Sequence, residues 1–463
     1  MVDENIELIK REPKKAIRKL SIPIYITLIM GFLNSLIDTV WVAGLGPNAL
    51  SAIAFITPIY LLVISIGSGI GAGASSLISI SIGANEREHA NNIGLHAILL
   101  GGILSIPPAL IFQLYLKPIL IFIGARNVLS YAMDYSNILF LFIFVFIYLI
   151  IGSSFFRAEG NVKRSTQIVF LSGILNIVCD PIFIYIFNLG MKGAAIATVI
   201  SSIIPCALIA YWIWIKKDNY LKLTYKQFKL DLNIIKDIIS LAIPATLETT
   251  ITSILSISLN FIIIQVSNHV SVAVFTSSMQ IVQFTTIPLN AIATALLTVA
   301  GISYGAKNFK NLRIAHSYSI RIGFLLAIGT AILMLIFAPH IATIFSYSNK
   351  SVGLTPKITS ALYILSLYVI VMPHGIMSTT LFRAIGKGLY SLILTILTSL
   401  LLQLVCILIL CFILGWGLNG IYAGLIFGSS LGSLVGYVWA KIFIINKLEK
   451  KDLKEYIHEK KNS

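Results

Sequence analysis

Uncharged or nearly uncharged runs of 20 residues and more recur along the whole of this 463-residue chain. A hydrocarbon core about 30 Å thick needs roughly 20 apolar residues per crossing helix. A backbone in lipid must satisfy its own hydrogen bonds, which only helices and closed barrels do, and runs of this length fit helices. Twelve helical spans are expected, at approximately 20–44, 49–82, 92–115, 132–156, 165–188, 192–215, 238–266, 270–302, 316–338, 358–381, 390–414 and 418–445. The expected fold class is an all-α membrane protein. Several runs exceed the minimum, so tilted or kinked helices are expected. Only 11% of the residues are charged and 57% are hydrophobic, whereas a soluble domain carries about a quarter charged residues.

A net charge of +16 is compatible with a nucleic-acid partner, but the placement of the charge points to the membrane instead. Threaded with both termini on one side, the spans leave 29 of the 34 Lys and Arg on that side. Lys117, Arg126, Lys192, Lys350 and Lys357 fall on the other. Such a bias implies an even number of spans with cytoplasmic termini. A multi-pass protein of the plasma membrane is expected, a monomer in contact with lipid, with no nucleic acid and no cofactor. Lys10, Arg11, Lys14, Lys15, Arg18 and Lys19 precede the first span without a small-residue cleavage pattern, so that span is expected to be retained. Cys179, Cys206, Cys406 and Cys411 lie inside spans at spacings that match neither a metal motif nor a disulfide framework. The run Gly67, Gly69, Gly71 and Gly73 lacks the Lys-Ser/Thr ending of a phosphate loop and reads as a close-packing stripe. No Walker-type motif is present, so direct use of ATP is not expected.

The two halves align at an offset of about 221 to 227 residues. Leu20-Ser21-Ile22-Pro23 recurs as Leu241-Ala242-Ile243-Pro244, and Gly83-Ala84-Asn85 as Gly305-Ala306-Lys307. The run from Ser154 to Gly160 recurs from Thr380 to Gly386, and Gly193-Ala194-Ala195 as Gly420-Ile421-Tyr422. Two pseudo-symmetric six-helix lobes are expected, 1–220 and 221–463, related by an axis along the membrane normal, with a substrate cavity between them. Pro23 and Pro244, matched in the repeat, are candidate pivots, as is Pro181.

An ionisable side chain in hydrocarbon costs at least about 2.5 kcal/mol, so each acid inside a span is a functional candidate. Asp38, Asp180 and Glu248 qualify. Asp38 lies about six residues before the outer end of span 1 and Asp180 about eight before that of span 5. At about 1.5 Å per residue they share a depth. Asn34 with Asp38, and Asn176 with Asp180, are spaced i, i+4 and so project from one face of each helix. Pro181 cannot donate to the carbonyl of Ile177, which leaves that oxygen for another partner. With the hydroxyl of Thr198, these residues form a candidate site for a coupling cation, either a shared proton or, at Asp38, Asn176 and Asp180, Na+ as a hard cation. The alternative is a hydrogen-bond network that simply holds the helices together. Gln280, Gln283 and Asn290 in span 8, Gln403 in span 11, Glu248 and His374 are candidates for lining the substrate cavity.

The combination of Pro23 and Asp38, the run from Phe156 to Arg164, and Leu175-Asn176-Ile177-Val178-Cys179-Asp180-Pro181 resembles the multidrug and toxic compound extrusion (MATE) family, DinF-like prokaryotic branch, over essentially the full length. The resemblance implies a secondary transporter that exports amphipathic organic cations in exchange for H+ or Na+, and not an enzyme. Glu248 is similar to an acidic position in span 7 of Na+-coupled relatives, but their aspartate in span 10 is Met372 here, with His374 nearby. A lipid-linked saccharide or lipid flippase of related fold is the alternative reading.

Overall fold

The computed structural model describes residues 2–224, 228–344 and 354–445. Lys226, Lys350 and the basic stretch beyond 445 lie outside the described residues. In chain order the helices are α1 (Val2–Arg11), α2 (Pro13–Ala43), α3 (Pro47–Gly83), α4 (Arg87–Phe122), α5 (Leu129–Leu141), α6 (Ile143–Ala158), α7 (Val162–Pro181) and α8 (Gly190–Ala210). They continue as α9 (Leu232–Val266), α10 (His269–Thr285), α11 (Ile287–Gly305), α12 (Phe309–Ile344), α13 (Thr355–Ala384), α14 (Gly388–Ile396), α15 (Leu402–Leu408) and α16 (Gly417–Ile442). Among the described residues there is no strand.

Among the described residues, eleven helical segments are long and apolar enough to cross a membrane, and the pair α5–α6, bent by 52°, makes up to twelve. The bend falls at Phe142, inside the expected span 132–156. The residues around the bend, from Ile138 to Ile147, are uniformly apolar and contain neither Pro nor Gly, so nothing local announces it. The expected span 270–302 is likewise divided into α10 and α11 at Thr286, just before Pro288 at the start of α11. A proline is at home in the first turn, where its missing N–H has no partner to lose.

The matched motifs of the two halves turn out to be helix ends and helix contacts. Gly160 and Gly386 close α6 and α13 with φ of 73° and 75°. In each, the following residue donates back five positions, Asn161 to Phe156 at 2.8 Å and Lys387 to Phe382 at 2.8 Å, and the glycine itself donates to Arg157 or Arg383. This is the Schellman cap, which requires a left-handed residue. Asn85 and Lys307 close α3 and α11 in the same way, with Glu86 N–H donating to Ser81 and Asn308 N–H to Ser303, both at 2.9 Å. Gly193 and Gly420 serve packing: a Cβ would fall 2.4 Å from the Phe183 carbonyl oxygen in the first case and 2.8 Å from the Cys411 nitrogen in the second.

The first helix, α1, buries Ile6 and Ile9 and covers two of these caps, while most of the basic N-terminal residues lie at the start of α2. Asn5 donates to the Gly160 carbonyl at 3.3 Å and Lys10 to the Asn85 side chain at 2.7 Å.

By proximity the chain forms two compact units. The first takes in Ile22–Thr246 with α1, and the second takes in Glu12–Ser21 with the chain from Leu247 onward. Residues 221–246, which the repeat assigns to the second half, therefore pack with the first. The glycine stripe explains this, because a Cβ at Gly69 would meet the Ala242 carbonyl at 2.6 Å and one at Gly73 that of Ile238 at 2.9 Å. Of the three divisions, one falls between α1 and α2, and the other two fall inside helices, within three residues of Pro23 in α2 and of Pro244 in α9.

The connection after α8 is pinned to the basic end of the first unit. Arg164 forms a two-pronged ion pair with Asp218 at 2.7 and 2.8 Å, and with Lys216 holds that carboxyl down to about 2. Arg87 donates to the Tyr220 carbonyl at 2.8 Å and lies over its ring. The buried Glu159 accepts from the N–H groups of Leu221 at 2.9 Å and Tyr220 at 3.3 Å. Burial lifts its carboxyl to about 7, against the opposing pull of those N–H groups and of Arg164 and Arg87. An acid that holds its proton more tightly when folded contributes stability at low pH and loses it as pH rises from its ordinary 4.5 through about 7. The thermal midpoint of the purified protein is expected to fall across that window, by no more than about 3 kcal/mol of stability. Thermal scans at several pH values on wild type and Glu159→Gln check this, the variant being expected to lose that part of the decline.

Candidate functional site

The site is built where α2 and α7 run side by side in the first unit. Towards their basic ends, Thr27 and Thr166 bond each other at 2.9 Å, and both hydroxyls lie within bonding reach of the Pro23 carbonyl, at 2.9 and 3.0 Å. Further along, Asn34 and Met30 lie beside Gly173 of α7. At the other end, Trp41 and Tyr185 meet edge to face, and the Tyr185 hydroxyl donates to the Trp41 carbonyl. Beyond Pro181 the chain does not break. It continues as a wider π-turn over Ile182–Ile186, a local adjustment of the kind a missing N–H invites.

Between these contacts the five expected residues of the cation site are gathered. Asp180 is fully buried, and Asn176 donates to its Oδ1 at 3.2 Å. The Asp38 and Asp180 carboxyls lie close enough to share a proton. Thr198 on α8 donates to the Ala194 carbonyl at 2.9 Å, which leaves its oxygen lone pairs available. The decisive feature is unmet demand: Asn34 Oδ1, Asp38 Oδ1 and Asp180 Oδ2 are buried without a hydrogen-bond partner. Three unpartnered acceptors on two adjacent helices, two of them on neighbouring carboxyls, call for a positive charge or a proton. Two tyrosines that sequence reasoning missed complete the wall. Tyr60 on α3 faces Asp38, and the buried Tyr135 on α5 lies against Thr198 and faces Asp38, Asp180 and Tyr60. A tyrosine inside an apolar run was the only signal for either.

The second unit repeats the scaffold without the chemistry. At the repeat's offsets of 221 and 227, Asn34, Asp38, Asn176, Asp180 and Thr198 correspond to Leu255, Leu259, Gln403, Ile407 and Leu425. The four aliphatic residues belong to one buried core. Glu248 is not left as an open carboxylate. It pairs with Arg383 at 3.1 Å and accepts from the Ser391 hydroxyl at 2.6 Å. His374 is half-buried, with its ring edge-on to Tyr437 at 5.6 Å and Phe324 at 6.0 Å. Gln280 and Gln283 on α10 and Asn290 on α11 are exposed on the second unit, and Gln403 is buried. The structure thus assembles the acidic set of the first unit, and holds Glu248 and His374 in separate pairings.

A bundle of membrane-crossing helices enclosing a convergent carboxyl pair defines a membrane transporter. The MatE family profile matches residues 23–182 and 244–409, one segment in each half, and the chain belongs to that family. It is 26% identical to an FAD transporter of Shewanella oneidensis over 84% of this chain and 86% of that one. It is 23% identical to the multidrug export protein MepA of Staphylococcus aureus over 94% of this chain and 95% of that one. Among solved structures, an outward-facing multidrug resistance MATE family transporter of the MOP superfamily is 34% identical, with a TM-score of 0.92 and coverage of 96% and 99%. A MOP superfamily transporter from Pyrococcus furiosus, described as having a binding pocket of reverse polarity, is 33% identical, with a TM-score of 0.91 and coverage of 95% and 98%.

Proposed function

We propose that this protein is an ion-coupled efflux transporter of the plasma membrane, working as a monomer with both termini in the cytoplasm, that exports small organic molecules, organic cations among them, in exchange for H+ or Na+. The observation that carries the coupling is the set of three buried, unpartnered oxygens of Asn34, Asp38 and Asp180. Binding a proton or Na+ there satisfies acceptors that are otherwise costly to bury. Only a difference in that gain between two conformations converts ion binding into movement. α2 carries Asn34 and Asp38 and contains Pro23, whose missing N–H removes one bond from the helix and makes it a place where a change in the site can bend it. Pro23, Pro181 and Pro244 are the pivots of this reading. The MepA and MATE likenesses support export of multiple compounds, and the FAD transporter likeness supports a wider substrate range than cations.

The test is efflux of a fluorescent organic cation from liposomes under separately imposed pH and Na+ gradients, with wild type and Asp38→Asn. Gradient-driven efflux that disappears in the variant is expected, and the effective gradient identifies the ion. A folded wild type that moves no such cation under either gradient would shift the reading to a flippase of related fold.

A further inference from the structure

The second unit contains a cavity of about 80 Å³, open on one side, that the acidic site does not explain. It is enclosed by α13, α14, α15, α16 and the π-turn Leu397–Leu401, and its polar wall comprises Thr379, Thr395, Thr398, Gln403, Ser429 and Ser433. No charged residue lines it. Several of its donors are already spent. The Thr379 hydroxyl bonds the carbonyls of Gly375 and Ile376 at 3.1 and 3.0 Å, and that of Thr395 bonds Ser391 at 3.1 Å. The Gln403 amide N–H bonds the Thr398 carbonyl at 3.0 Å. What Thr379 and Thr395 turn to the cavity is therefore lone pairs, while the hydroxyls of Ser429 and Ser433 can both accept and donate. Gln403 is only 3% exposed, and its Oε1 is a buried acceptor without a partner.

We infer that this cavity binds a neutral, polyhydroxylated group, the uncharged polar part of a transported molecule. The occupant must donate hydrogen bonds, because the wall is rich in unspent acceptors. It must also be uncharged. The carboxylates of the first unit are Leu259 and Ile407 here, and Glu248 is already neutralised by Arg383, so a full cation would enter without a counter-charge. Hydroxyl groups carry a far smaller desolvation cost and recover it against Gln403 and the serine and threonine oxygens. The inference rests on the transport reading for its purpose, but not for its test.

Binding of riboflavin and of lumiflavin to the purified full-length protein is followed by quenching of flavin fluorescence. The two share an uncharged ring system, and only riboflavin carries a chain of hydroxyls. Riboflavin is expected to bind about 10-fold more tightly, the equivalent of two net hydrogen bonds. Gln403→Leu and, independently, Ser433→Ala should bring the ratio close to one by weakening riboflavin alone, while Asp38→Asn leaves it unchanged. Equal affinities in wild type, or a preference that survives both cavity substitutions, overturns the inference. A preserved preference in a protein that shows no gradient-driven efflux would instead overturn the transport reading and leave the site standing.

Discussion

Replacing Asp180 by Asn is expected to reduce gradient-driven efflux to background while leaving the protein folded. The carboxyl is fully buried, its Oδ2 has no partner, and it lies within proton-sharing distance of Asp38. Asn has nearly the same size and keeps an oxygen to accept from Asn176, so the packing of α2 on α7 persists while the negative charge and the proton site are removed. The repeat supplies an internal control. Ile407 occupies the corresponding place in the second unit, within an aliphatic core. Ile407→Val trims one methylene there, at a stability cost of about 1 kcal/mol, and is expected to leave coupling intact. Flux in liposomes at equal amounts of reconstituted protein separates the two. Undiminished coupled efflux in Asp180→Asn would place the ion elsewhere.

The largest effect on stability is expected from Gly428→Ala, a substitution usually benign in a helix. On α16, a Cβ at this position would lie 2.5 Å from the Gln403 Cα and 2.7 Å from the Leu402 carbonyl oxygen. Both obstacles are backbone, so no side chain can swing away and the two helices must part. Such overpacking costs about 1–3 kcal/mol or more. At Gly31 and Gly329, by contrast, nothing lies within 4 Å of the added carbon. There the same change brings only the helix preference of alanine, a gain of up to about 1 kcal/mol. Thermal scans and detergent-extracted yields of the three variants should therefore show one strongly lowered midpoint and two unchanged or raised ones. A Gly428→Ala midpoint equal to that of Gly31→Ala would contradict the close approach of α15 and α16.

Legible from the residues alone were the approximate limits of the crossings, the duplication, the helix ends at Asn85, Gly160, Lys307 and Gly386, and the candidate acids. Each is local or periodic: an apolar run has a length, a left-handed cap has its residue, and a carboxylate among leucines stands out wherever it lies. The pairing of Asp38 with Asp180 was legible too, because i, i+4 amides marked the same face on two helices of matching depth. It took the packed structure to reveal the bend at Phe142, the π-turns, the division of the units inside α2 and α9, the approach of Tyr60 and Tyr135 to the acids, and the pairing of Glu248 with Arg383. The reason is the solvent. A helix in lipid is apolar on its outer and inner sides alike, so its sequence carries little amphipathic pattern to say which face meets which neighbour. Those contacts are settled by the shapes of the packed helices.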